Sequence, residues 1–340
     1  MSLLIGEFCM DVQWHIAFCN MTYSEYAGMT YRQYYASPEN TLEAQLIAKE
    51  VAERKFGVGC FMAPCVDLPS ASFASYLGMP VIEPEGDELP YIDCQEPVVR
   101  EPSEVSSVTL GDPKTTGMMA RRYRAWEYYR SQGYEVRFGG HGGSVVSTAH
   151  EISVGKVFLW MLEDPKGAHR TLDLVTDASL KLRDFDDSLC GPSEGGYTGD
   201  DYSGLLSPEL YRRFAIPQYE RIYARRSSRF MHSELLRAEH LRMAKDLLGI
   251  TSFHGAGCKN LTLAEMHEVM GNDFWTQITP QELLELSPQA LAEKVKVYAH
   301  SGCAYVQLYP GRRTPDANME AAIAAAQREC SGGARGGMTT

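Results

Sequence analysis

Short apolar runs recur along this chain, separated by longer stretches of helical periodicity. That alternation restricts the fold more than any other feature. "YEVRFGG" (Tyr134 to Gly140), "SSRFMHS" (Ser227 to Ser233), "GITSFHG" (Gly249 to Gly255), "FWTQIT" (Phe274 to Thr279) and "CAYVQLYP" (Cys303 to Pro310) read as buried strands. "FGVGCFMAP", Phe56 to Pro64, reads likewise. Helix starts are marked between them. In "SPENTLEAQLIAKEVAERKFG", Ser37 offers an N-cap, Pro38 the first helical position and Gly57 a stop. Ser207 and Thr279 begin "SPELYRRFAI" and "TPQELLEL" in the same way, and a long amphipathic helix is expected from about Asp164. Strand then helix over most of the chain predicts an α/β fold. About eight such units in roughly 300 residues favour a closed (β/α)8 barrel over an open doubly wound sheet. No low-complexity linker divides the chain. One domain over 1–340 is expected, with an N-terminal extension to about residue 36 and a flexible tail from about 331 to 340.

The balance of charge excludes some functions. Lys plus Arg is 32 and Asp plus Glu is 44, a formal charge of -12. Nucleic acid is not expected as a partner, because phosphate binding wants a basic face. No apolar run approaches the roughly 18 residues needed to span a bilayer. The N-terminus has no basic stretch before its apolar residues, so a signal peptide is not expected either. Nine cysteines, an odd number with no C-x-x-C, fit packing thiols in a reducing cytoplasm. "FGGHGGSV" lacks the spacing of a dinucleotide-binding loop.

Functional groups of such barrels gather at the C-terminal ends of the strands. His232 and Glu234 fall at the end of one predicted strand and His254 at the end of the next. Pro217 is expected to restart a helix, which would put Glu220 in its first turn on the same rim. Asp67 and the pair Asp200–Asp201 end other barrel segments, where proton handling or substrate orientation competes with simple capping. Glu234 at a helix start has the same bland alternative. The cluster Tyr23, Tyr26, Tyr31, Tyr34 and Tyr35 reads first as helix packing and second as an aromatic wall.

Several segments resemble the uroporphyrinogen decarboxylase superfamily. They are the stretch from Ser37 to Val81 with Asp67 at the family's aspartate, "GGHGGSVVSTAHEI", "TGDDYSGLLSPELYRRFAIPQYERIY" and "GCAYVQLYPGRRTPDANMEAAIAAA". The resemblance implies a (β/α)8 barrel. The family's decarboxylases use an arginine-rich N-terminal segment against substrate carboxylates, whereas Arg32 is the only arginine here before residue 50. A branch of zinc methyltransferases carries His-x-Cys where this chain has His232-Ser233-Glu234, and a later Cys where it has Arg312 or Arg313. The corrinoid-dependent O-demethylase branch is more similar, with two glutamates and a histidine at long spacing. By that likeness Glu220, Glu234 and His254 are expected to bind zinc, with Cys258 a softer alternative ligand. Asp67, Asp200 and Asp201 are then the expected catalytic residues, and His141, Tyr197, His232 and Arg312 the expected substrate contacts. The implied reaction moves a methyl group from a methoxylated aromatic or similar small donor to a corrinoid on a partner protein. Porphyrin-type decarboxylation, and a corrinoid- or tetrapyrrole-binding barrel without catalysis, are the alternatives.

Overall fold

The computed structural model describes residues 12–57 and 64–330. Its main sheet contains β1 (Gln13–Ile16), β4 (Gly195–Gly199), β5 (Ser228–His232), β6 (Ser252–His254), β7 (Phe274–Ile278) and β8 (Tyr305–Leu308). A separate antiparallel ribbon pairs β2 (Val81–Ile82) with β3 (Tyr91–Ile92). The six strands are all parallel and pair in the order β1-β8-β7-β6-β5-β4. Contact between the first and last strands is the closure of a TIM-type barrel. Residues 13–16, expected to lie in an extension, are therefore a strand of the barrel wall.

Strand alternation divides the side chains between two environments. Trp14, Ile16, Met231, Phe253, Phe274, Ile278, Val306 and Leu308 are buried in one core with the surrounding helices. The interleaved positions turn inward and differ from the branched aliphatic filling usual for such barrels. They carry Tyr197, Phe230, His232, His254, Trp275, Tyr305 and His15, joined by ring contacts.

The marked helix starts are all used. The Ser37, Asp164, Ser207 and Thr279 side chains accept from the amides of Asn40, Gly167, Leu210 and Glu282, and Gly57 closes its helix at φ 62°. Two strand expectations differ. Residues 58–63 of the Phe56–Pro64 segment lie outside the described residues. Residues 134–140 form no ladder, and the backbone turns at Gly139 and Gly140, whose φ values are 62° and 71°. Side chains take the place of a neighbouring strand there. Arg122 donates to the Val66 and Phe138 carbonyls (3.0 and 2.7 Å), and the Asp186 carboxylate accepts from the Phe138 and Gly139 amides (2.9 and 3.2 Å). The backbone bends so closely around Arg122 that a Cβ on Gly140, at φ +71°, would lie 2.5 Å from the guanidinium Nε.

Pro217 stands in the first turn of the helix Ile216–Tyr223, as expected, but that helix does not start afresh. Pro208–Leu210, a π-helical turn at Tyr211–Ala215 and Ile216–Tyr223 form one continuous run. The wider turn accommodates a proline that has no N–H to donate and whose ring would crowd a regular α-turn. Glu220 consequently sits far along the run rather than in a first turn, and it is exposed.

Candidate functional site

β5 ends at His232 and β6 at His254, and parallel register places these two residues side by side. Their Nδ1 atoms are 3.1 Å apart, so one ring donates and the other accepts. His254 Nε2 is buried with no hydrogen-bond partner. Burial lowers the pKa of both imidazoles; His232 and His15 depress His254 further, while Asp201 partly offsets the effect at His232. His15, on the barrel side of β1, is pushed down to about 4 by burial. The three rings are thus neutral at neutral pH, with lone pairs available to accept a proton or bind a metal.

Glu234 follows on the exposed rim, and its backbone amide donates to Asp201 (2.6 Å). Burial and Asp201 together raise the Glu234 pKa. Among the described residues, the side chains that shift His232, His254 and Glu234 are Asp201 and the imidazoles, with no lysine or arginine among them. Tyr309, just past the end of β8, has its phenol raised by burial and by Cys19, Asp67 and Glu234.

The remaining expected residues take different places. Asp67 accepts from the hydroxyls of Tyr34 (2.9 Å) and Tyr35 (3.2 Å) and is raised by burial, opposed by those bonds and by Arg122. The tyrosine cluster is thereby a packing element that also holds this carboxylate. Asp200 is not a free acid. Its oxygens accept from the Val146 and Ser147 amides (2.6 and 3.0 Å), the Ser147 hydroxyl (2.8 Å) and the Tyr219 hydroxyl (2.8 Å), which anchors the start of the helix Val145–Ser153. Arg312 is not free for substrate either. It pairs with Asp87, donates to the Ser24 hydroxyl and the Met29 carbonyl, and lies 3.8 Å over the Tyr31 ring. The Cys258 thiol donates to the Leu236 carbonyl, and burial raises its pKa.

His141 and Tyr197 line a cavity that reaches the start of β4, at the opposite end of the barrel from His232. Burial, Asp201 and Asp200 push the Tyr197 phenol up to about 12. Its hydroxyl fills the space that a Cβ on Gly199 would need. The three expected zinc ligands do not assemble, because Glu220 is exposed on its helix while His254 is buried at the mouth. Among the described residues, no group of three or more His, Cys, Asp or Glu side chains is placed to hold a metal ion. The structure instead presents a pair of neutral imidazoles over an aromatic wall, beside two rim carboxylates.

His15, Tyr309 and the wall of Phe230, Trp275 and Tyr305 were not among the expected site residues. A signal for them exists in the period-two spacing of Gln13 and His15, and of Tyr305, Gln307 and Tyr309, which puts each set on one face of its strand.

The family model described as Uroporphyrinogen decarboxylase (URO-D) matches residues 18–304. No curated protein matches the chain. Among solved structures, a methyltransferase from Methanosarcina mazei is similar, with a TM-score of 0.68 at 15% identity, covering 94% of this chain and 93% of that one. At that identity the likeness concerns the fold.

Proposed function

The chain belongs to the uroporphyrinogen decarboxylase family, and from that premise we propose that it is a methyltransferase, moving a methyl group from a methoxylated aromatic or similar small donor to a corrinoid carried by a partner protein. The observation that carries this reading is the charge at the mouth. Neutral imidazoles, Asp201 and Glu234 stand there, and the described charges acting on them include no cation. A polycarboxylate substrate needs several cationic partners and would be repelled. A neutral aromatic ether would not. The inward rings of Phe230, Trp275 and Tyr305 offer it flat apolar surface.

Zinc is the metal that the O-demethylase likeness implies. The unpartnered Nε2 of His254 and the neutral state of both rings fit a metal that takes imidazole nitrogen. Glu220 does not fit. In this reading the imidazoles of His254 and His232 would contribute nitrogen ligands to the ion. Zinc, when bound, supplies Lewis-acid stabilisation for a departing aryloxide. The chain's own residues do the rest. The aromatic wall orients the ring, and Asp201 fixes the Glu234 backbone. The nucleophile is the reduced corrinoid, so this chain needs no activated Ser or Cys of its own. A corrinoid held by the partner would accept the methyl group as the methyl–oxygen bond breaks and the aryloxide leaves. The phenolate, with a conjugate acid of pKa roughly 10, takes its proton from water after release.

The test is a transfer assay of the purified chain with a reduced corrinoid acceptor and a panel of methoxylated aromatics, alongside uroporphyrinogen. Methyl-corrinoid formation that disappears in His254→Ala supports the proposal. Turnover of uroporphyrinogen, abolished by Asp67→Asn, overturns it.

A further inference from the structure

The cavity at the foot of the barrel shares the rings of Phe230 and Trp275 with the wall of the mouth, but its charged lining takes no part in the proposed methyl transfer. Its volume is about 160 Å3, and it opens between the starts of β4 and β5. One part is cationic. Arg137, Arg183 and Arg226 meet there with only Asp186 and Asp187. Asp186 is engaged by Arg137 (2.8 Å) and by two backbone amides. Asp187 is shared between Arg137 (3.2 Å) and Arg226 (2.7 Å). Arg183 is left over. It donates one bond to the Ile222 carbonyl and its Nε is buried without a hydrogen-bond partner; Asp184 lies 3.9 Å away and is largely solvated, and Asp187, which also acts on it, is taken by Arg137 and Arg226. The other part is aromatic, formed by Tyr197, Phe230 and Trp275. The His141 imidazole lies beside it, held neutral by burial, with a pKa of about 4.

A surplus guanidinium facing flat rings in a small cavity selects a particular ligand. A guanidinium donates a planar pair of bonds to a carboxylate, and the rings stack on a planar body. The two aspartates would repel a dianion once the single surplus charge is matched. The volume lies below the roughly 300–1,000 Å3 of drug-sized sites, which restricts the occupant to a small molecule. We propose that the foot of the barrel is a second ligand site, taking a small aromatic monocarboxylate with its carboxylate on Arg183 and its ring against Trp275 and Phe230. The same two rings contact His254 at centroid distances of 6.0 and 6.2 Å, so an occupant would press on the wall that supports the mouth.

The experiment titrates the full chain with benzoate, and with benzamide as its uncharged counterpart, by calorimetry and tryptophan fluorescence. Expected results are binding of benzoate at one equivalent and at least about tenfold weaker binding of benzamide. Arg183→Met should weaken benzoate by at least about tenfold, as expected for loss of a charge-assisted bond. Glu234→Gln, altered at the mouth, should leave benzoate affinity unchanged. Ser228→Trp, at an exposed position on the cavity edge, should block the site by bulk and serves if Arg183→Met does not fold. Absence of benzoate binding at millimolar concentration, or full binding by a folded Arg183→Met or Ser228→Trp variant, overturns the proposal. Loss of binding in Glu234→Gln would place the ligand at the mouth and overturn it equally.

Discussion

His254 carries a buried ring nitrogen with no partner, next to a second imidazole at 3.1 Å. If the pair forms the nitrogen part of a zinc site, His254→Ala should lower bound zinc and transfer rate by at least about 100-fold, judged against the 10- to 100-fold typical of mere supporting contacts. Glu220→Ala should retain both, since that side chain is exposed. Metal analysis of the purified variants decides between the two, and full zinc in His254→Ala would remove it from the ligand set. His15 bears on pH. Its pKa falls from 6.5 to about 4 in the folded chain because burial disfavours the cation. Above pH 6.5 both folded and unfolded states hold the ring neutral. As pH falls from 6.5 towards 4, the unfolded chain binds the proton first, so stability drops. The shift corresponds to about 3 kcal/mol for this one residue. His141, lowered to about 4 by burial, acts in the same direction. Thermal melts between pH 7 and 4 should show the decline, with a smaller slope in His15→Gln.

At the level of elements, two buried side chains do the work of missing or incomplete secondary structure. Arg122 bridges the carbonyls of Val66 and Phe138 where no ladder joins the two segments, and it lies beside Asp67. Arg122→Leu should destabilise the protein by about 3 kcal/mol or more, since it strands two carbonyls and a buried carboxylate together. Denaturant unfolding measures this, and a loss below about 1 kcal/mol would show that water or another group replaces the bridge. Asp200 does the same for the helix Val145–Ser153, through three hydrogen bonds from it and a fourth from the Tyr219 hydroxyl. Asp200→Ala should therefore lower stability by roughly 2–4 kcal/mol, because buried donors lose their acceptor. A folded Asp200→Ala variant with normal stability and no activity would instead give the aspartate a chemical role.

The whole molecule is acidic, at -12, and its mouth adds Asp201 and Glu234 to that field. Uroporphyrinogen, with its many carboxylates, should therefore be a poor substrate. The corrinoid partner should meet the rim around Glu234, His254 and Asp201 in a transient complex, and such contacts often bury less than about 1,200 Å2. Titration with a cobalamin-loaded carrier protein tests this. Saturable weak binding, lost on changing rim residues, is the expected result, and tight binding of free cobalamin by the isolated chain would favour the carrier alternative. No described helix is long and apolar enough to cross a membrane.

Local chemistry was legible wherever a residue's own neighbours in the chain decide its state. The caps at Ser37, Asp164, Ser207 and Thr279, the strand ends at His232 and His254, and the α/β alternation all follow from side-chain oxygens, apolar period and proline placement within a few residues. β4 was not legible, because "GGYTG" has three glycines in five residues and owes its extended form to pairing with β5. The fates of Asp200, Arg312 and Glu220 depended on partners distant in sequence or on a turn that widens around Pro217. The surplus charge of Arg183 likewise exists only once Asp186 and Asp187 are seen to be taken by other groups. Sequence spacing determines which strand end or helix carries a reactive side chain. Whether that side chain is free depends on the donors and acceptors that burial brings against it, and only the tertiary structure decides those.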